Sequence, residues 1–224
     1  MTIRSAYLAA ATIAGALLFL AGQALLPSLP DELGPAFAGM VEHRDRLMAA
    51  RLLTSAGAFL LVPAVVGIAL HFRDSNRGAR LVLVATTLFG VATFSNAVSQ
   101  AVEGYVGWGA TAPGADPATG RRIVGDLGAG LIGIPIGFWS IPAFALGGLL
   151  LAAGLWRTGR VPTWLPITLA AGVVLAGAFA GRGYVVALTQ APFTVALVAL
   201  GLIVWGSELP ESVPDAVPAG ARLS

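Results

Sequence analysis

The sequence predicts an all-α fold: a polytopic transmembrane bundle of about six helices with both termini in the cytoplasm. Three observations lead there. Of 224 residues, 57% are hydrophobic and only 11% charged, against roughly a quarter charged in ordinary globular domains. The apolar residues fall in blocks of about 17 to 25, each long enough to cross a hydrocarbon core roughly 30 Å thick at 1.5 Å per residue. The polar segments between them are too short to build a second core, so residues 1–206 read as one membrane domain and the acidic, proline-rich residues 207–224 as a disordered cytoplasmic tail.

The first span covers about residues 6–26. Arg4 gives it the basic start of a signal peptide, but the run from Ala6 to Leu26 exceeds the usual apolar stretch of about 7 to 15, so it reads as a retained anchor. Pro27, Pro30 and Pro35 then predict an exposed loop. From Val41 to Ala50 the chain has helix-forming residues, a Glu42 and Arg46 pair four apart and no breaker, so a rod is expected to run on into span two, residues 52–72. Span three covers residues 81–103. Asp116 and Pro117 have the chemistry of an N-cap and a first helical residue for a short helix through Leu127, with Arg122 and Asp126 one turn apart. Span four covers residues 128–156. The last apolar stretch, Trp164 to Trp205, is too long for one helix and is split at Gly181-Arg182-Gly183 into spans at 164–180 and 184–205. A five-span count is the rival.

Orientation comes from the short loops, since basic residues in such connections stay cytoplasmic. Arg73, Arg77 and Arg80 oppose only Asp74 after span two, and Arg157 and Arg160 meet no acid after span four. Both loops belong inside. In the outer connections Arg44, Arg46, Arg51, Arg121 and Arg122 are balanced by Asp31, Glu32, Glu42, Asp45, Asp116 and Asp126. Tyr7, Trp156, Trp164 and Trp205 form an inner aromatic belt in this arrangement, and Tyr105, Trp108 and Tyr184 an outer one.

Composition also excludes chemistry. The chain has no cysteine, which removes disulfides, thiol catalysis and cysteine-based metal sites. Its 13 basic residues are all arginine, spread in small loop groups; that is a topological pattern and not a nucleic-acid footprint. His43 and His71 fall on opposite sides of the membrane and share no metal. Without a phosphate loop, a zinc-protease helix or a serine elbow, no cofactor or metal is expected.

Span three carries Asn96, Ser99, Gln100 and Glu103 at i, i+3, i+4 and i+7, which puts them on one helical face. Unpaired polar groups in hydrocarbon cost several kcal/mol, so this face must turn into the bundle. Gln23, Arg51, Ser55, Arg182, Thr189 and Gln190 lie at similar depth on other spans. The expectation is an outward-opening ligand pocket formed by Arg51, Asn96, Gln100, Glu103, Arg182 and Gln190, with Trp139 as its floor and the two arginines as countercharges to Glu103. The competing reading is that these groups simply join neighbouring helices, with Glu103 snorkelling into water. Glu103 and Asp126 are the candidate catalytic acids. Span four holds Gly130, Gly133, Gly137, Gly147 and Gly148 with Pro135 and Pro142, a pattern for close packing through Ala129, Gly133 and Gly137 or for a hinge.

The stretch from Phe138 and Trp139 through Gly147 and Gly148 to Leu155-Trp156-Arg157-Thr158-Gly159-Arg160-Val161-Pro162-Thr163-Trp164 resembles a recurrent pattern in uncharacterised bacterial six-helix membrane proteins. With Arg51 opening span two and the basic loop Arg73 to Arg80, the resemblance covers about half the chain. Those families have no assigned activity, so it implies architecture alone, in a bacterial plasma membrane. Three functional classes fit. The preferred one is a non-enzymatic bundle that binds a lipid or small amphiphile, or serves as an accessory beside a membrane-protein partner. A small transporter needs polar groups in both halves of the membrane. An intramembrane acid-catalysed cyclase or isomerase needs a second acid opposite Glu103, for which Asp126 is the nearest.

Overall fold

The computed structural model describes residues 3–75, 78–129, 138–178 and 184–206. They form eight helices: α1 (Ile3–Leu25), α2 (Leu33–Glu42), α3 (Arg44–Phe72), α4 (Ala79–Ala110), α5 (Pro117–Ala129), α6 (Phe138–Thr158), α7 (Trp164–Ala178) and α8 (Tyr184–Gly206). No strand occurs among the described residues. Helices α1, α3, α4, α6 and α8 are long and apolar enough to cross a membrane, and α7 is a shorter apolar helix.

These six apolar helices form a closed ring in chain order. α1 packs on α3, α3 on α4, α4 on α6, α6 on α7, α7 on α8, and α8 returns to α1. Where two contacts fix direction, neighbours are antiparallel: Gly22 lies against Thr54 and Gly67 against Leu8, Gly104 against Arg51 and Gly90 against Val65, Gly147 against Phe89 and Gly154 against Val82. The ring is filled by Leu61, Ile68, Leu155, Leu165, Leu169 and Leu200 and by three interlocked rings. Phe89 and Phe144 stand 5.3 Å apart, Phe89 and Phe193 5.7 Å, and Phe144 and Phe193 5.2 Å, all tilted, as aromatic quadrupoles prefer. The outward faces are apolar as well, with Val66, Val91, Ile167, Leu188 and Leu202 all more than half exposed. A helix apolar all round is suited to hydrocarbon.

Lipid tails solvate leucine as well as a neighbouring helix does, so helices in a bilayer associate mainly by close van der Waals approach. Glycine supplies that approach at every seam. A Cβ added at Gly57 would strike the Phe19 backbone, one at Gly172 the Phe193 backbone, and one at Gly147 would lie 2.8 Å from the Phe89 nitrogen. Gly148, Gly201 and Gly104 do the same against Val173, Ile13 and Arg51.

The connections correct the sequence expectation in three places. Residues after Pro30 do not stay extended: Leu33–Glu42 is the helix α2. Pro35 is its third residue, where no backbone N–H has an intrahelical acceptor, so the ring is tolerated. The expected rod is interrupted at His43, whose backbone (φ −106°, ψ 24°) is not helical, so α3 begins at Arg44 and Glu42 lies on a different helix from Arg46. Arg46 instead donates from Nε to the Leu25 carbonyl at 2.8 Å, satisfying a terminal acceptor of α1. Span three runs past Glu103 to Ala110. Its 32 residues reach about 48 Å at 1.5 Å per residue and so overshoot a hydrocarbon core of roughly 30 Å.

Other expectations held. Asp116 caps α5, accepting from the Thr119 N–H at 2.9 Å and the Thr119 hydroxyl at 2.7 Å. Those bonds hold its carboxyl below the ordinary value of 3.8, so the cap is fully charged at neutral pH and is lost only as the pH falls below that value. Gly159, at φ 64°, closes α6 ahead of Pro162, a left-handed position that glycine enters without strain. Ala129 ends α5, while Gly130, Gly133, Pro135, Gly137, Arg182 and the tail 207–224 lie outside the described residues.

Gly57→Ala is expected to destabilise the protein by about 1–3 kcal/mol, the usual cost of overpacking. Gly109→Ala, with nothing within 4 Å of the added carbon, is expected to be neutral or to stabilise by about 0.5–1 kcal/mol. Thermal unfolding in detergent distinguishes them; equal effects would mean that the glycine seams do not hold the ring.

Candidate functional site

The polar groups collect at the end of the ring where α2 and α5 lie, and they separate into two assemblies. The first joins α3 to α4. Arg51 donates from Nη1 to the Gln100 side-chain oxygen Oε1 at 2.5 Å, and its Nη2 stands 3.0 Å from Glu103 Oε2. The other Glu103 oxygen accepts from the Ser99 hydroxyl at 2.8 Å. One turn deeper, the Ser55 hydroxyl donates to the Ala97 carbonyl at 2.8 Å. Every strong group is answered, and the ion pair keeps contact with water, with side-chain exposures of 26% and 37%.

Beyond it the two long helices are clasped again. The Arg44 guanidinium lies 3.8 Å above the Trp108 ring and its Nε donates to the Trp108 carbonyl at 2.9 Å. The Trp108 indole N–H donates to Asp45 at 3.0 Å. The arginine thereby supplies a cation–π contact and a carbonyl cap at the C-terminal end of α4.

The second assembly is a cavity of about 200 Å³ inside the ring. Phe19 of α1, Phe144 of α6 and Phe193 of α8 wall it. Gln23 of α1, Asn96 of α4, Ser140 of α6 and Gln190 of α8 supply its polar lining. Among the described residues no side-chain hydrogen bond is made by Gln23, Asn96 or Gln190. The Gln190 Oε1 atom is fully buried and without a partner, as is the Thr194 hydroxyl one turn further along α8. Burying such a group unpaired costs about 1–3 kcal/mol. Among the described residues no ionisable side chain lines the cavity.

The predicted pocket residues therefore divide. Asn96 and Gln190 meet at this cavity as placed, but Arg51, Gln100 and Glu103 are not among its lining residues and are engaged with one another. Trp139 begins the second residue of α6, its side chain outside the described set, and Arg182 lies outside it entirely. Asp126 is exposed on α5, and among the described residues no hydrogen bond or ion pair joins it to Glu103. The pairing of two acids that acid catalysis needs is replaced at Glu103 by an arginine. No group of three potential metal ligands occurs among the described residues.

Sequence reasoning named Gln23 among the polar residues at this depth but did not assign it to the pocket. It did not mark Ser140, Phe19, Phe144 or Phe193. An isolated phenylalanine in an apolar run has no pattern that separates a cavity wall from a lipid-facing or core position; the lone glutamine was the available signal.

Chemically, carboxamides offer both donors and acceptors but no charge and no proton to transfer near neutrality. The cavity can hold a neutral polar head against aromatic walls. Its described lining offers no charge to neutralise an anion.

Glu103→Ala is expected to lower stability by about 1–2 kcal/mol, between the exposed and fully buried limits, because it strips the Arg51 guanidinium of its counterion. Glu103→Gln should lose less, and a double-mutant cycle with Arg51→Ala should show coupling. Equal stability of wild type, Ala and Gln variants would show that the pair does not join the helices. Comparison with protein-family models, with curated proteins and with solved structures finds no significant match, so the function is argued from the chemistry of the site itself.

Proposed function

We propose that the chain is a six-span protein of a bacterial plasma membrane, with both termini cytoplasmic, that binds a small neutral amphiphile from the outer side without transforming it. The observation that carries this reading is the convergence of Gln23, Asn96 and Gln190, three carboxamides without side-chain partners, on one aromatic-walled cavity. The Gln190 Oε1 atom among them is fully buried, and natural cores seldom leave such an atom unpaired unless it serves a purpose beyond stability.

The span count is supported by the ring. Consecutive helices are neighbours and α7 fills a full place between α6 and α8, so an even number of crossings lets the last helix return antiparallel to the first. The exposed aromatics support the orientation: Tyr7, Trp156, Trp164 and Trp205 fall at the helix ends beside the basic loops, and Tyr105 and Trp108 at the opposite ends. It is also the architecture of the bacterial six-helix proteins that the span-four hairpin resembles. The half of the core away from the cavity is filled by Ile68, Phe72, Leu155, Leu165 and Leu200, all buried, which speaks against a polar path through the bundle and so against a transporter. Glu103 held by Arg51 and Ser99 speaks against acid catalysis.

Single reporter fusions test the topology. Those after Ser75 and Thr158 should report cytoplasm and one after Ala115 the outside; an outside signal at the C-terminus would remove the six-span reading. Binding is tested in nanodiscs with monoolein, whose head carries two hydroxyls and no charge, against the anionic dioleoylphosphatidylglycerol. Monoolein at about 100 times its Kd should stabilise the protein by about 2.7 kcal/mol, the anionic lipid should not, and Gln190→Leu should abolish the effect. Without ligand the Gln190→Leu protein should be as stable as wild type or more so, since it removes an unpaired buried carbonyl. If Gln190→Leu binds monoolein normally, the cavity is not the site.

A further inference from the structure

The cavity is not closed on all sides. Of its lining residues, Ile141 on α6 is 64% exposed on the outer surface of the ring. Gly177 on α7 also lines it, is exposed, and among the described residues has nothing within 4 Å of the position a Cβ would take. Both residues belong to the same seam, between α6 and α7. Lower in that seam the helices are tight, because Gly148 admits the Val173 side chain against the α6 backbone. Above that contact the cavity is lined by Ala145 on α6 and by Ala176 and Gly177 on α7, whose small side chains fill little of the space beside the two backbones. The exposed residue that borders the opening, Ile141, is apolar.

We propose that this gap is a lateral slot through which the hydrocarbon tail of the ligand leaves the cavity into the bilayer, so that the ligand is a tailed neutral lipid and not a compact solute. The inference rests on the binding reading above and specifies its ligand class. Volume supports it. A cavity of about 200 Å³ is below the usual range of about 300–1,000 Å³ for pockets that enclose a whole drug-sized ligand. It fits a glycerol-sized head with the first carbons of a chain, and the rest must lie elsewhere. Chemistry supports it too: Gln23 sits on α1, opposite the slot in the ring, and Asn96 and Gln190 on α4 and α8, which flank the two slot helices, so a head held among them sends its tail past Ala176 and Gly177. A neutral head passes the apolar Ile141 without shedding a charge, and the described residues of the lining are uncharged.

The test uses the full chain in nanodiscs with two probes sharing one head, the short-chain monobutyrin and monoolein. Gly177→Leu places a side chain in the slot where there is open space, so the protein should fold with an unfolding temperature near wild type; Val174→Leu, on the exposed face of the same helix, is the control. Gly177→Leu is expected to weaken monoolein binding at least tenfold while leaving monobutyrin within about twofold, and Val174→Leu should change neither. If Gly177→Leu leaves monoolein untouched, or weakens both probes equally, the slot is overturned while the binding site stands. If wild type binds neither probe, the binding reading itself fails. Because the chain has no cysteine, Gly177→Cys labelled with bimane gives a second measurement. Dibromostearoyl monoglyceride should quench it more strongly than the same mole fraction of brominated phospholipid, and equal quenching would count against a tail in the slot.

Discussion

Backbone-to-backbone approach at glycine is the constraint from which the rest of this molecule follows. In water a helix pair is held by removing apolar surface from solvent, and side-chain volume is an asset. In hydrocarbon that term largely cancels, and what remains is the density of contact. Gly57 against Phe19, Gly147 against Phe89 and Gly172 against Phe193 bring the α1–α3, α4–α6 and α7–α8 pairs so close that no Cβ fits. The chain spends 29 glycines, many of them on such contacts, although each costs helix propensity. Where small residues line the lumen, at Ala145, Ala176 and Gly177, the ring retains a gap and a cavity behind it.

Within that frame the polar groups divide by how they are satisfied. Arg51, Gln100, Glu103 and Ser99 answer one another, and with the Arg44, Trp108 and Asp45 clasp they tie α3 and α4 into one long pair. Ordinary helix-internal bonds take care of the threonines: Thr12, Thr54, Thr86 and Thr93 each donate to a carbonyl one turn earlier. Against this background the side chains of Gln23, Asn96, Gln190 and Thr194 stand out because nothing in the described chain answers them, as nothing answers the Ser75 hydroxyl at the other end of the bundle. The first assembly joins two helices, and the second leaves hydrogen-bonding capacity unused.

Much of the architecture was legible from composition and local rules. The positions of the six apolar helices, the Asp116 cap and the Gly159 stop each depend on a few adjacent residues whose chemistry has one economical solution. The helix α2 was missed because Pro27, Pro30 and Pro35 look alike in the sequence, yet Pro35 enters a first turn, where proline is harmless. The break at His43 was missed because no residue there forbids helix; the packing of α2 against α5, on which Phe37 is buried next to Gly120, sets the angle at which the chain enters α3.

By itself the sequence determined that this chain forms apolar helices of membrane-crossing length, where most of them begin and end, and that one face of the third span had to avoid lipid. Period and hydrophobicity are local properties, and they suffice for that. Only the tertiary structure decided what the polar face does. Asn96 and Glu103 lie about 20° apart around α4 but about 10 Å apart along it, and the difference in height is everything: Arg51 stands opposite Glu103 and closes it into an ion pair, whereas beside Asn96 the ring opens into the lumen where Gln23 and Gln190 arrive from α1 and α8. Which partner stands at which height is set by how far neighbouring helices slide past one another, and that is fixed by glycine contacts between residues far apart in the chain.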